Sequence, residues 1–294
     1  MCVGLGLPIG DPAQLLTWAR RADATPFTAV ALLDRLVFGN PEPLITLATL
    51  AGATSRIRLQ TEVLLAPLHR TALLAKQAAT LDLLSGGRFT LGIGTGGRPD
   101  DYLAAGVDVR TRGRRLDEQM ATLRRIWAGG PLSEEVGPIG PAPARPGGPE
   151  VLFGGFVPAV VERVARWGDG FLGAALPSHQ MDLLFRDVET AWSRAGRTGH
   201  PRLLAQVNVA LGPQPVIDRA RQELRAYYQP LGYTDHIVNG LLTTREEIRD
   251  AVAAYTAIGA DEVMLYCWSP DPGQVDRLAD AVFLPEGDWP GVSE

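Results

Sequence analysis

Short apolar runs alternate with longer amphipathic segments along this chain. Short apolar runs bounded by turn residues are typical of buried strands, and apolar residues at every third or fourth position are typical of helices that cover a sheet. The runs predicted as strands are Cys2–Leu7, Thr28–Leu33, Ile57–Leu65, Phe89–Ile93, Val151–Phe153, Gly170–Ala174, Leu203–Leu211 and Glu262–Tyr266. Because strands and helices alternate, the pattern predicts repeated β–α units and a parallel sheet.

The segments between these runs carry helix signals. Asp11 followed by Pro12 predicts an N-cap and a first helical position, and Thr244 with Glu247 three residues later predicts a capping box. Helices are also predicted over Pro43–Ala53, Thr71–Leu84, Arg112–Trp127, Ala159–Trp167, Ser178–Ala195, Gln214–Tyr227 and Pro272–Val282. The segment Gly129–Pro149 is too rich in Pro and Gly for a long helix or a central strand.

Eight strands interleaved with helices predict one α/β domain over residues 1–294, built as a single (β/α)8 TIM barrel with insertion segments. The length suits this fold, which uses about 250 residues. An open, doubly wound sheet is the competing architecture, and the strand count disfavours it. We expect Ile57–Leu65, Phe89–Ile93, Val151–Phe153 and Glu262–Tyr266 to be parallel neighbours in one closed sheet.

The formal net charge of −5 argues against two classes of partner. Since no basic run stands out, binding to nucleic acid or to an anionic membrane has no electrostatic support. Cys2 and Cys267 lack metal-ligand spacing, so we predict two free thiols and no metal site. The first residues lack the features of a signal peptide, and no apolar stretch approaches the roughly 18 residues of a membrane span. We therefore expect a cytoplasmic protein.

The most informative segment runs from Leu81 to Gly96 and reads LDLLSGGRFTLGIGTG. It predicts a helix end, a tight Gly-Gly turn, a strand and a glycine loop at the carboxyl end of that strand, where α/β folds place their ligands. The segment resembles the bacterial-luciferase-like flavin monooxygenases and their deazaflavin-dependent relatives, whose pattern is LD-x-LSGGR-x-x-x-GxGxG. The resemblance is strong over Leu33–Trp127 and moderate over Val151–Phe171.

The resemblance implies a flavin-dependent oxidoreductase, with monooxygenation of a small organic substrate by reduced FMN and O2 as the expected chemistry. It also implies a separate flavin reductase as a partner and a homodimer, the form that relatives often take. Two alternatives stay open: hydride transfer with the deazaflavin coenzyme F-420, and a non-catalytic flavin-binding accessory protein. The substrate is not evident, and we expect the irregular segments Gly129–Pro149 and Gln229–Leu242 to shape its pocket.

The resemblance points to three catalytic residues: Arg35, Glu62 and His69. Arg35 stands where the family usually has His. Arginine stays protonated and cannot act as a base, so it would bind an anionic substrate or reduced flavin, or else pair with Asp34. Glu62 lies within a predicted strand and would face the flavin, or else pair with an Arg inside the barrel. His69 opens the next loop, near the cofactor or in a packing role.

The resemblance further implies cofactor contacts from Glu62, Val63, Gly94, Thr95, Gly96, Gly154, Gly155 and Phe156. Family members have a non-prolyl cis peptide beneath the flavin ring at the place of Glu62-Val63. Glycines let the backbone approach a planar ring or a ribityl chain. The helix start after Gly155 and Phe156 would bind the cofactor phosphate through backbone N–H groups.

The segment after this loop is rich in charge. Asp100, Asp101 and the arginines at 110, 112 and 114 are expected to form a solvated face, and Tyr102 is the residue there that would line a pocket.

Overall fold

Parallel strand pairing closes the chain into a barrel. The computed structural model describes residues 2–8, 10–174, 176–229, 232 and 234–284. The strands are β1 (Cys2–Gly6), β2 (Ala29–Leu32), β3 (Arg58–Thr61), β4 (Leu64–Leu65), β5 (Phe89–Gly94), β6 (Glu150–Gly154), β7 (Gly170–Leu172), β8 (Arg202–Val209) and β9 (Glu262–Cys267). They follow the order β3-β2-β1-β9-β8-β7-β6-β5-β4, and a pairing between β3 and β5 closes the ring.

The sheet has eight positions, because β3 and β4 are successive segments of one strand that both pair with β5. All pairings in the ring are parallel. The predicted (β/α)8 barrel is confirmed, and closure excludes the open sheet. β3, β5 and β6 lie side by side as expected, whereas β9 belongs to the same sheet but pairs with β1 and β8.

Helices surround the strands and cover the ends of the barrel. They are α1 (Pro12–Asp23), α2 (Pro43–Ala53), α3 (Thr71–Leu84), α4 (Pro99–Ala104), α5 (Arg112–Trp127), α6 (Pro158–Trp167), α7 (Ser178–Arg194), α8 (Gln214–Tyr228), α9 (Thr234–Asn239), α10 (Arg245–Ala257) and α11 (Gln274–Phe283). Asp11 caps α1, and Thr244 with Glu247 forms the predicted capping box of α10. Across the described ranges, we find no helix both long and apolar enough to cross a bilayer.

The structure differs from the sequence prediction at two places. The third strand is interrupted at Glu62 and Val63, which are joined by a cis peptide bond, as the resemblance implied. The charge-rich segment contains the short helix α4, in which Asp101 is buried rather than solvated. Tyr102, which was expected to line a pocket, is buried beside it. Pro99 begins this helix and two aspartates follow in its first turn, which is a favourable helix start.

Side chains alternate between the two faces of the sheet. One face packs against the helices, and the other fills the barrel with a smaller cluster that includes Ala31, Leu204, Met264 and Tyr266. The Tyr266 ring lies over Gly6, where an added Cβ would be 2.4 Å from its Cγ atom. The interior is therefore a packed core whose composition changes from one end of the barrel to the other.

The amino-terminal end of the interior holds a paired ionic cluster. Arg58 lies 2.8 Å from Glu262, and Arg202 lies 2.6 Å from Glu150 and also pairs with Glu262. Thr28 donates to Glu262 and Thr90 donates to Glu150. We refer to Thr28, Arg58, Thr90, Glu150, Arg202 and Glu262 as the lower cluster.

Candidate functional site at the barrel mouth

The carboxyl ends of the strands form the barrel mouth, where enzymes with this fold place their chemistry. Strand register sets which side chains reach the interior there. In the strand register, Gly6 pairs with Tyr266 and Ala31 pairs with Gln60. Because side chains alternate between the two faces of a strand, Glu62 and Tyr266 both belong to the uppermost layer of the barrel interior. Both residues are buried, at 5% and 1% exposure.

The interrupted third strand packs closely against glycines of its neighbours. A Cβ at Gly94 would lie 2.7 Å from one methyl of Val63, and a Cβ at Gly154 would lie 2.7 Å from the other. A Cβ at Gly92 would lie 1.9 Å from the Thr61 carbonyl oxygen. These three glycines therefore leave space for the Thr61–Val63 segment, and Val63 forms a small apolar surface between β5 and β6.

Glu62 is a buried carboxyl group without a counter-charge at hydrogen-bonding distance. Within the described part of the chain, neither of its oxygens has a hydrogen-bond partner. Burial raises the pKa of Glu62 well above its usual range, the nearby Glu262 charge raises it further, and the Gln60 amide opposes the shift. The carboxyl group therefore holds its proton to higher pH than an exposed glutamate does.

Tyr266 and Gln60 are two polar interior residues that the sequence analysis did not select. The Tyr266 hydroxyl and both polar atoms of the Gln60 amide are buried and have no hydrogen-bond partner among the described residues. Burial raises the pKa of the Tyr266 phenol well above its usual range, and Glu62 contributes to the rise. The alternation in β9 indicated that Tyr266 shares a face with Glu262, but it did not reveal that the hydroxyl is unpaired.

Arg35 is held by contacts on three sides. Its Nε donates to Asp101 at 2.9 Å and its Nη1 donates to the Tyr227 carbonyl at 2.8 Å. The guanidinium lies 5.1 Å from the centre of the Tyr227 ring and 5.5 Å from that of Phe38. Asp101 also accepts from the backbone N–H groups of residues 36 and 37. Arg35 thus forms ion pairs with Asp101 and, at 3.9 Å, with Asp100, both in α4, and not with the expected Asp34.

Asp34 and His69 lie together beside β4. Asp34 accepts a hydrogen bond from the Leu65 N–H at 2.8 Å, and its carboxylate is 3.8 Å from Nε2 of His69. The His69 side chain is one-quarter exposed. Its backbone carbonyl accepts from Arg115 and Gln119 of α5, which fixes the loop that carries it. His69 can therefore reach solvent or a ligand while a carboxylate stays near it.

The glycine loop after β5 is fixed by a buried phenol. Tyr102 of α4 donates to the Thr95 carbonyl. Gly96 has a positive φ of 64°, and a Cβ there would lie 2.8 Å from Leu65. The loop is thus tied to α4 and closely packed on β4, with Thr95 only partly buried.

The start of α6 offers backbone donors without a side-chain cap. No side chain caps this helix, and Phe156 just before it is 51% exposed. Gly155 has φ of +148°, a conformation that favours glycine. The first N–H groups of a helix lack intrahelical acceptors and carry the positive end of its dipole, so this end can bind an anion. Any such binding would rest on the backbone, since Phe156 and Val157 have no hydroxyl.

Aromatic side chains cover the mouth from the β8 side. Tyr227 and Tyr228 end α8, and their ring centres lie 5.6 and 6.2 Å from that of Trp268. Trp268 donates to the Asn208 side chain at 2.8 Å. The described part of Gln229–Leu242 continues from these rings and returns to β8 through Leu242. Positions 230, 231 and 233 lie outside the described residues, and a role of this segment in shaping the pocket stays a prediction.

The second segment expected to shape the pocket lies elsewhere. Gly129–Pro149 connects the end of α5 to the start of β6, and Ala144 donates from it to Asp82 at 2.8 Å. A connection that leads into the beginning of a strand lies at the amino-terminal end of the barrel, opposite the mouth. The expectation was wrong because Pro and Gly content indicates a loop but not the end of the sheet on which it lies.

The described residues contain no group of three or more His, Cys, Asp or Glu side chains placed to hold a metal ion.

Comparison with known proteins identifies the family. A profile of the luciferase-like monooxygenases matches residues 3–260. The chain belongs to this family. An uncharacterised protein of Mycobacterium tuberculosis is 33% identical over 168 residues, which cover 53% of this chain and 56% of that protein. The chain thus matches about half the length of this curated relative.

Two solved structures show the same fold with different cofactors named in their descriptions. An F420-dependent secondary alcohol dehydrogenase in complex with an F420–acetone adduct has a TM-score of 0.77 and 18% identity, covering 96% of this chain and 98% of its own. The oxygenating constituent of 3,6-diketocamphane monooxygenase from Pseudomonas putida, in complex with FMN, has a TM-score of 0.72 and 16% identity, covering 97% and 99%. At such identities the likeness concerns the fold.

Proposed function

We propose that this protein is a flavin-dependent monooxygenase that uses reduced FMN and O2 on a small organic substrate bound at the barrel mouth. The observation that carries the proposal is the pairing of the Val63 surface with an uncapped helix start. Val63 lies between the glycines of β5 and β6, and the N-terminus of α6 follows β6 directly. A planar ring with a phosphate-bearing tail fits a flat apolar support beside an anion site.

The residues that would hold the cofactor come from neighbouring strand ends. Val63 would contact the ring, the loop Gly94–Gly96 would lie along the ribityl chain, and the N–H groups after Gly154 would bind the phosphate at Gly155 and Phe156. This assignment is supported by the exposed start of α6 and the part-exposed Thr95. When bound, a reduced flavin supplies electrons for oxygen chemistry, and the protein orients it and excludes water.

The three residues expected to be catalytic then divide by their contacts. Glu62 and His69 can gain or lose a proton and reach the mouth, so we assign them to proton transfer and ligand binding. Arg35 is 7% exposed and already bound to Asp101 and the Tyr227 carbonyl. We therefore assign Arg35 to positioning the β2 loop against α4 and α8.

The direct test is to titrate the purified protein with FMN in both redox states and with coenzyme F-420. Tight binding of reduced FMN, followed by substrate-dependent oxygen consumption with a flavin reductase, is the expected result. Binding of neither cofactor would refute the proposal. Cofactor binding without turnover over a broad substrate panel would instead favour the non-catalytic accessory protein.

The alternative cofactor F-420 has its own support. Its acidic tail needs basic groups at the mouth, and Arg112 and Arg115 lie close enough to Tyr102 of α4 to lower its pKa, which burial nevertheless raises to about 12. Hydride transfer with F-420 needs no oxygen. Turnover under anaerobic conditions with reduced F-420 would therefore distinguish it from monooxygenation.

The phosphate site is tested by a charge placed at its edge. Gly155→Asp should weaken FMN binding at least about tenfold, because like charges about 4 Å apart repel by a few kcal/mol at an effective dielectric near 20, and about 1.4 kcal/mol is tenfold. Gly155→Ala is the matched control, since it imposes the same backbone strain at φ +148° without charge. Equal losses in the two variants would place the phosphate elsewhere.

We also propose a homodimer formed through α2 and α3. Ile45, Leu73, Leu83 and Leu84 are exposed on these two helices, beside a groove of about 290 Å³. Ile45→Glu should convert the dimer to a monomer in sedimentation velocity. Leu183→Glu, at an equally exposed leucine of α7, should not. A monomeric wild-type protein would contradict this assembly.

The reductase partner and the cytoplasmic location stay predictions.

A further inference from the structure

Unpaired buried polar atoms concentrate at one place in this molecule. In the described residues, nine buried side-chain nitrogen or oxygen atoms have no hydrogen-bond partner, and five of them belong to Gln60, Glu62 and Tyr266. Buried polar groups are nearly always hydrogen-bonded, since leaving one unpaired is costly. A cluster of five such atoms indicates a site whose partners come from a bound molecule.

The three side chains share one region of the barrel interior. Gln60 and Glu62 belong to the third strand, and Tyr266 belongs to β9, which is separated from β3 by the two strands β2 and β1. The intervening strands place Ala31 and Gly6 on the inner face, and the Tyr266 ring lies across Gly6. These two small residues leave a path for the phenol towards β3, and Glu62 and Tyr266 influence each other electrostatically.

We propose that Gln60, Glu62 and Tyr266 form a binding site for an uncharged oxygen-bearing group, a carbonyl or a hydroxyl, of the molecule bound at the barrel mouth. The inference rests on the proposed function, because it names the substrate class of that same site. We refer to these three residues as the upper triad.

The charges around the upper triad explain why the bound group is uncharged. Below it lies Glu262, whose charge acts on Glu62, while Arg58 and Arg202 are engaged by the carboxylates of the lower cluster. Above it lie the phenols of Tyr227 and Tyr228, which act on Tyr266. A bound carboxylate or phosphate would lie near these acidic groups, and both arginines of the lower cluster are already paired. A neutral oxygen can instead accept hydrogen bonds from a protonated carboxyl and from a phenol.

Infrared difference spectroscopy tests the protonation and the binding together. Wild-type minus Glu62→Gln spectra at pH 8 should show the carbonyl band of a protonated carboxyl, which absorbs apart from ionised carboxylates. The band should shift when cyclohexanone is added with the cofactor present. It should not shift with cyclohexanecarboxylate, which has a similar ring but carries a charge.

Adding the cofactor and the ketone separately shows which of the two molecules supplies the oxygen-bearing group. A shift caused by FMN or F-420 alone would show that the triad binds a carbonyl of the cofactor ring, and a shift that needs the ketone would show that it binds substrate. An ionised Glu62 at pH 8, a band that no ligand moves, or a band that cyclohexanecarboxylate moves equally would overturn the proposal. Failure of wild-type protein to bind either cofactor would instead refute the proposed function, since the Glu62 band and its response to ketone are also measured in separate samples without cofactor.

Variants of Tyr266 separate a binding role from a structural one. Tyr266→Phe should weaken ketone binding by about fivefold to tenfold, the value of one hydrogen bond, and leave thermal stability unchanged or higher because the lost hydroxyl has no partner among the described residues. Tyr255→Phe is the matched control, since the Tyr255 hydroxyl donates to the Leu176 carbonyl. This control should lose stability and keep ketone binding. A loss of stability in Tyr266→Phe with unchanged binding would contradict the proposal.

Discussion

The two ends of the barrel interior contain similar polar residues in opposite states. At the amino-terminal end, the carboxylates of Glu150 and Glu262 are paired with Arg202 and receive hydrogen bonds from threonines. At the mouth, Glu62 and Tyr266 are buried but have no partner within the described structure. One end therefore satisfies its polar groups internally, and the other leaves them unpaired among the described residues, as the proposed ligand site requires.

This difference separates stability from function within one fold. A fully paired buried network holds neighbouring strands together, and removing one member leaves an uncompensated charge. An unpaired buried group costs stability and persists where it serves a ligand. The lower cluster should therefore respond to mutation mainly through folding, and the upper triad mainly through binding.

The largest effect is expected in the lower cluster. Arg202→Met leaves Arg58 facing two carboxylates and should lower the free energy of unfolding by about 3 to 5 kcal/mol. Urea denaturation measures this loss. Arg21→Met is the control, because its ion pair with Asp276 is exposed and should contribute about 0 to 1 kcal/mol. Similar losses in both variants would remove the stabilising role assigned to the cluster.

Arg35 sharpens the comparison, because it is a charged residue near the mouth that is fully paired. Arg35→Met should cost about 3 kcal/mol, the lower end of the range for a broken buried pair, since Asp101 keeps two backbone donors. Arg35→Lys should recover part of this loss by restoring the charge without the fork of donors. A loss below about 1 kcal/mol in Arg35→Met would contradict the positioning role and favour ligand binding by Arg35.

The Val63 surface gives a steric test of the mouth. Gly94→Ala places a Cβ 2.7 Å from a Val63 methyl and should cost about 1 to 3 kcal/mol. Val63→Ala should relieve the clash, so a double-mutant cycle should show coupling between the two sites. Gly97→Ala has open space around its Cβ and serves as the control. Additive losses would mean that Val63 is not fixed by this glycine.

The barrel could be predicted because the patterns that indicate its strands and helices involve residues close together in the chain. Strand–helix alternation and the capping signals at Asp11 and Thr244 need only neighbouring residues, and both agree with the structure. The interruption at Glu62 and Val63 was anticipated only through the family resemblance.

The site was predicted less completely because its contacts are long-range. Arg35 pairs with Asp101, 66 positions away, and nothing local distinguishes that carboxylate from the adjacent Asp34. Tyr266 and Glu62 approach each other only after the barrel closes. Whether a buried hydroxyl has a partner depends on every neighbouring strand, so the upper triad became visible only from the structure.

Glu62→Gln is expected to change the free energy of unfolding least, with only a small difference from wild type near pH 5. The informative result is how this difference depends on pH. Burial raises the pKa of folded Glu62 well above its ordinary value of 4.5, and Glu262 adds to the rise. The folded state then binds more protons than the unfolded state, so wild-type stability falls as pH rises from that value towards the folded pKa.

Glutamine has no such proton, so the stability of Glu62→Gln relative to wild type should increase with pH over this window, as measured by thermal unfolding from pH 5 to about 8. Asp23→Asn is a control of opposite sign. Although burial acts to raise the pKa of Asp23, backbone N–H donors at Ser55, Ile57 and Arg56 hold it below its usual range. Its ionised form therefore stabilises the fold at pH above the ordinary aspartate pKa, and Asp23→Asn should be less stable than wild type throughout that range. A pH-independent difference for Glu62→Gln would show that Glu62 titrates as an ordinary carboxyl, and the two ends of the barrel would then no longer differ in the way described.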